Sequence, residues 1–219
     1  MTKRNILNAL PEIEALRKLS QSLAMLDAIL SPEWEYRYYS FDSKWSADEM
    51  MASMRNGSDD GYFILFNQYG AIIKGFAHES LMSPWGSESE EVWLGVLDEV
   101  PSEFQSFLQE PAFSITDATF CIWRRSGDGT WKIGEIDYPE GENDPDVSDQ
   151  ILSILNGDPT AYQGFAESYY ERKIPLSAIK HIYEHNSLTG KIVRLLNQDI
   201  SIGELQRDIE EIGYPRSAT

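Results

Sequence analysis

The chain has 219 residues and carries 18 Lys and Arg against 36 Asp and Glu, a formal net charge of −18; its hydrophobic content of 42% and aromatic content of 12% suffice for a sizeable core. Residues 75–171 hold 20 of the acids and only three bases, Arg124, Arg125 and Lys132, so that segment is −17 and the rest is close to neutral. The skew argues against nucleic acid and anionic membrane as ligands, since phosphate binding needs clustered Lys and Arg, and favours a basic partner or a cation.

Residues 11–30 read as an amphipathic helix: Pro11 suits the first turn, Glu12 and Glu14 suit its positive end, and Ile13, Leu16, Leu19, Leu23, Leu26 and Leu30 recur at helical spacing. Ser31-Pro32 ends it. Residues 34–41 are rich in strand formers, including the tyrosines at 36, 38 and 39, which read as sheet packing rather than a base-stacking platform. Ser46 with Glu49 has capping-box spacing and predicts a short helix over 47–55, stopped by Asn56-Gly57. The segments 62–66 and 71–76 flank Asn67-Gln68-Tyr69-Gly70 and predict a hairpin whose nearly continuous apolar arms lie centrally, covered on both faces. A short helix opens near Val100-Pro101-Ser102-Glu103. A second hairpin is predicted from 119–125 and 130–136 around Ser126-Gly127-Asp128-Gly129. Arg124 and Arg125, at alternating strand positions, then point to opposite faces.

After Tyr138 the character changes. Residues 139–149 form an acidic connector with two prolines, and helices follow at about 147–156, 159–172, 175–185, 187–197 and 201–212. The predicted fold class is α+β: an antiparallel sheet of about five strands with flanking helices and a helical C-terminal region. Residues 1–138 form the α+β domain, 139–149 the connector, and 150–219 a helical region packed on the first. The chain has no apolar run long enough to span a bilayer, and its N-terminal stretch does not read as a signal peptide. The lone Cys121, in the apolar string Phe120-Cys121-Ile122-Trp123, reads as a small buried hydrophobe. These features predict a cytoplasmic protein.

Two constellations carry candidate chemistry. His181-Ile182-Tyr183-Glu184-His185 matches H-x-x-E-H, the zinc-peptidase pattern in which two histidines one turn apart chelate the metal and the glutamate acts as base. A third ligand would have to come from Glu204, Glu210 or Glu211, or from His78 or another distant residue. The alternative is that His181 and His185 are polar residues on the wet side of a helix whose core side is Ile179, Ile182 and Tyr183. The other constellation is the stretch 79–103, where Trp85 and Trp93 stand among Glu79, Glu88, Glu90, Glu91, Asp98, Glu99 and Glu103. A tryptophan ringed by carboxylates suits a basic protein surface: the aromatic anchors and the charges steer. The alternative is that both tryptophans point inward; Trp93, beside Val92, Leu94, Val96 and Leu97, is the better candidate for the core. The connector acids Asp137, Glu140, Glu142, Asp144, Asp146 and Asp149 lack EF-hand order and read as a solvated loop rather than a calcium site. The chain has no nucleophile elbow, dinucleotide fingerprint or P-loop, and no cofactor is implied.

The strings 31–41 (Ser-Pro-Glu-Trp-Glu-Tyr-Arg-Tyr-Tyr-Ser-Phe), 51–58 (Met-Ala-Ser-Met-Arg-Asn-Gly-Ser) and 70–79 (Gly-Ala-Ile-Ile-Lys-Gly-Phe-Ala-His-Glu) resemble those of small acidic bacterial proteins. The general build is similar to immunity proteins of bacterial polymorphic toxin systems. That likeness of type implies a cytosolic, non-enzymatic protein that binds a basic toxin, and assigns no residue a role. The leading expectation is a non-enzymatic acidic binding protein, with Trp85, Glu88, Glu90, Glu91, Trp93, Asp98 and Glu99 as its partner surface. The alternatives are a metal-dependent hydrolase using His181, Glu184 and His185, and a regulatory or scaffold domain.

Overall fold

The structure is a computed structural model that describes residues 6–86 and 90–217. A short helix α1 (Ile6–Ala9) precedes α2 (Ile13–Leu30), and the sheet follows: β1 (Tyr39–Asp42), β2 (Met50–Arg55), β3 (Gly61–Asn67), β4 (Gly70–Phe76) and, after a long connection containing α3 (Gln105–Gln109), β5 (Phe120–Arg125). The five strands form one antiparallel sheet in the order β1-β2-β3-β4-β5. A helical C-terminal region completes the chain: α4 (Ser148–Ile151), α5 (Pro159–Tyr169), α6 (Leu176–Tyr183), α7 (Gly190–Leu196) and α8 (Gln206–Ile212). Among the described residues, no helix is long and apolar enough to cross a membrane.

Strand alternation divides the apolar residues between two faces. Tyr62, Ile64 and Phe66 of β3, Ala71 and Ile73 of β4, and Phe120 and Ile122 of β5 join α2 and the C-terminal helices in one core. Leu65, Ile72, Cys121 and Trp123 point the other way, into a second core built with Met82, Val96, Phe104, Phe107 and Phe113 of the β4–β5 connection. Both faces are therefore covered, which is why the central strands read as continuous apolar runs. The β3–β4 turn forms at Gln68-Tyr69, with Asn67 Oδ1 accepting from the Tyr69 amide. Gly70 is required there because a Cβ would strike the Arg124 carbonyl of β5.

Four local expectations need correction. Helix α2 is amphipathic only in its first turns: every residue from Leu19 to Leu30 is buried. Its polar residues are satisfied internally: Ser22 Oγ donates to the Ile182 carbonyl, Gln21 Nε2 to the Ile212 carbonyl, and Asp27 accepts from Tyr162 and two backbone amides. Residues 50–55 are strand β2, not helix. Ser46 and Glu49 do pair, through Ser46 Oγ to the Glu49 carboxylate and the Ser46 amide to the Glu49 carbonyl, but they close a turn that leads into a strand. The helix preference of Met and Ala there gives way to pairing between β1 and β3, which buries Ala52 and Met54. The first strand begins only at Tyr39, because Trp34–Tyr36 form a 3₁₀ turn under the Arg55 guanidinium. Finally, 130–136 is not a strand. Only Lys132 bridges to Trp123, and Trp131 turns away to donate to the Pro11 carbonyl. The sheet still has five strands, since β2 takes the place of the missing arm.

Candidate functional site

The connection from β4 to β5 covers the second sheet face with little regular structure. Residues 77–119 contain nine Asp and Glu and no Lys or Arg. The inner side of this cover is apolar: Phe113 packs against Phe107, Phe63 and Trp45 at ring-centre distances of 4.6, 5.0 and 5.4 Å. The outer side exposes Glu79, Glu90, Glu91, Asp98 and Glu99. Glu103 is turned back to Arg125 at 3.1 Å, and its own backbone amide, then the Ser102 hydroxyl and Arg125, hold its carboxyl below the usual range.

Trp85 stands outward from this cover, 71% exposed. Its support is firm. Met82, Ser83 and Pro84 are buried, the Ser83 and Gly86 amides close successive turns, and Ser80 Oγ ties the segment to the Pro145 carbonyl. The 3₁₀ turn Pro84–Gly86 rests on Ile115–Asp117. With the backbone beneath the indole anchored, binding there orders little main chain, which is what an interface anchor needs. Trp93 is placed differently: it is half-buried against the second core, and its Nε1 donates to the Asp137 carbonyl at 2.9 Å. Its neighbour Leu94 is 84% exposed, so the apolar contact the 92–97 stretch offers to solvent is Leu94 rather than Trp93. The stretch is fixed by Gly95, whose φ of +92° and contact with the Glu135 carbonyl leave no room for a Cβ. Glu88 lies outside the described residues.

The connector acids are largely structural. Asp144 accepts from the Asp149 and Gln150 amides, Asp146 from the Ser148 amide, and Asp149 from the Ile6 amide. Burial, with Asp146 and Asp149 close by, pushes the Asp144 carboxyl up. Asp137, Glu140 and Glu142 remain exposed.

His181, Glu184 and His185 do not share one helical face. Helix α6 stops at Tyr183, and His185 has a left-handed φ of +56°. His181 Nε2 bonds the Ser187 carbonyl, Glu184 accepts from Asn186, and the His185 ring lies edge-on to Tyr214 at 4.8 Å. Glu184 and His185 instead line a cavity of about 670 Å³ together with Lys18 and Lys180. Burial pushes the His185 imidazole down, and Arg17 and Lys18 push it further. The positive charge that repels a proton there also opposes a metal cation. Among the described residues, no group of three or more His, Cys, Asp and Glu is placed to hold a metal ion.

The sequence reading missed two buried charges. Asp27, inside α2, accepts from Tyr162 Oη at 2.7 Å and from the Tyr38 and Tyr39 amides at 2.8 and 2.9 Å, and burial raises its carboxyl to about 6. Lys74, inside β4, is 3% exposed. Each was signalled by a lone charge within an otherwise apolar string.

Comparison with protein-family models, with curated proteins and with solved structures finds no match for this chain.

Proposed function

We propose that this protein is a non-enzymatic binding protein that presents the acidic cover of its sheet to a basic protein. The observation that carries the reading is Trp85, 71% exposed on a fixed turn within a connection that contains no Lys or Arg. In the concrete form of the proposal the partner is a bacterial toxin such as a nuclease, and the protein is its immunity factor. Exposed carboxylates at Glu79, Glu90, Glu91, Asp98 and Glu99 take the places of phosphates in the partner's basic cleft, while Trp85 fills an apolar recess beside it. Charge of this sign raises association rates by roughly 10- to 1000-fold, an effect screened over about 8 Å at physiological ionic strength. The indole supplies the slow dissociation, since buried tryptophans are frequent hot spots.

The test is parallel capture from native lysate on immobilised wild-type protein and on a Trp85→Ala/Glu90→Lys variant. The reading expects one stoichiometric basic protein, held by wild type at low salt, released at high salt and not held by the variant. Equal retention on both proteins would sink this surface assignment.

A further inference from the structure

The second sheet face holds a feature that partner binding does not use. Lys74 sits on β4 between Phe63 of β3 and Cys121 of β5, two positions from Ile72 and on the same face. It is 3% exposed, and among the described residues its amine makes no hydrogen bond or ion pair; its nearest aromatic contact is the Phe76 ring, 6.0 Å from Nζ to ring centre. An ammonium this enclosed, with no hydrogen-bonding partner and only the field of Asp117 to offset it, is costly, and proteins seldom keep one without a use. The side chain lines a cavity of about 310 Å³ at the end of the sheet, walled by Met54, Phe63 and Phe76 and closed on one side by Ser114 and Asp117. The loop 56–60 forms the opposite wall. It is held by Asn56 bonding Asp60 and by Asp60 accepting from the His78 amide at 2.7 Å, so that carboxylate is occupied.

We propose that this cavity is a binding site for a small aromatic aldehyde, which Lys74 holds covalently as an imine. The amine lone pair attacks the carbonyl carbon. The carbinolamine then loses its hydroxyl as water, taking up the protons the nitrogen gives up, and nothing is oxidised or reduced. Asp117 is the carboxylate on the cavity wall whose field acts on Lys74, and it assists the proton transfer. The geometry is supported by the amine's acidity: burial pushes it down to about 8 against the opposing charge of Asp117, so it has far more free base at neutral pH than a surface lysine. Arg55, Asp59 and Asp60 are the other charged groups on the cavity wall. With Asp117 the wall holds three carboxylates against Arg55 and Lys74, an excess of negative charge that disfavours an anionic ligand and leaves room for an uncharged carbonyl compound. The volume lies at the lower end of the range for small-molecule sites and suits a single-ring compound.

The probe is salicylaldehyde, titrated into the full chain at pH 7, followed by the absorbance of its imine and by borohydride trapping with peptide mapping. The proposal expects about one equivalent of imine, trapped on Lys74 at least tenfold faster than on any other lysine. Lys74→Met should remove it, and Asp117→Asn should slow its formation at least threefold. Folding of each variant is checked by circular dichroism. Imine spread over surface lysines, or none beyond that of Lys74→Met, would overturn the proposal.

Discussion

Replacing Lys74 by Met should make the protein more stable. Methionine keeps an unbranched chain as far as Cε and removes the ammonium beyond it. The amine falls from 10.5 in the unfolded chain to about 8 in the fold. At about 1.4 kcal/mol per tenfold, this fall puts the cost of holding the protonated amine at about 3 kcal/mol at pH 7. Because the folded value lies below the unfolded one, the unfolded chain binds more protons between pH 8 and 10.5. The cost is therefore full at neutral pH and shrinks through that window, to roughly half by pH 9.5. Urea unfolding of both proteins at pH 7 and pH 9.5, followed by tryptophan fluorescence, measures the gap, and taking the difference cancels the tyrosines that also titrate in alkali. With a slope near 2 kcal/mol per molar urea, the midpoint should rise by about 1.5 M at pH 7 and by about half that at pH 9.5. A variant less stable than wild type, or a gap that does not change with pH, would refute the reasoning. A stabilising change at a wild-type lysine is also what a residue retained for function predicts.

Trp85→Ala should leave the unfolding free energy from urea melts within about 0.5 kcal/mol of wild type, since the indole is exposed, while weakening partner affinity roughly 30-fold as judged by calorimetry. Asp27 behaves in the opposite sense to an ordinary paired carboxylate: its folded value of about 6 lies above the unfolded 3.8, so its contribution to stability rises as pH falls from 6 to 4. In thermal melts at pH 7, 5 and 4, the stability of wild type relative to Asp27→Asn should rise as pH falls, the difference cancelling carboxyls such as Glu14 and Asp158 whose values are lowered. Phe113→Ala removes the ring between Phe63, Phe107 and Trp45 and should cost about 3–5 kcal/mol, with loss of near-ultraviolet dichroism; a cost below about 1 kcal/mol would mean that the cover is not packed as described.

Local signals explain which parts of this fold were legible. The hairpin at 61–76 was, because two apolar runs flank a turn with Asn67 and Gly70 at its ends. The C-terminal helices were, because Gly157, Pro159, Pro175 and Asn186 punctuate them. Strand β2 was not: Met50, Met51, Ala52 and Met54 are good helix formers, and only the slot between β1 and β3 makes them extended. The arm after Gly129 failed for the converse reason. Its residues suit a strand, but Trp131 reaches Pro11 and Gly134 lies against Gly95, which draws the chain off the sheet edge. The separation of Trp85 from Trp93 was half legible: Ser, Gly and Glu surround the one, while apolar neighbours surround the other. Leu94 reversed its expected place, since the turn fixed by Gly95 aims it outward. The histidine pattern was a one-dimensional match, and the end of α6 at Tyr183 breaks its geometry.

The central claim, that the acidic cover binds a basic protein through Trp85, is tested most directly by titrating the captured partner, once purified, against wild type and the Trp85→Ala/Glu90→Lys variant at about 50 and about 300 mM salt. The account predicts tight one-to-one binding by wild type that weakens steeply with salt, and a loss of at least 30-fold in the variant at low salt. Equal affinities of the two proteins, or binding indifferent to salt, would contradict it.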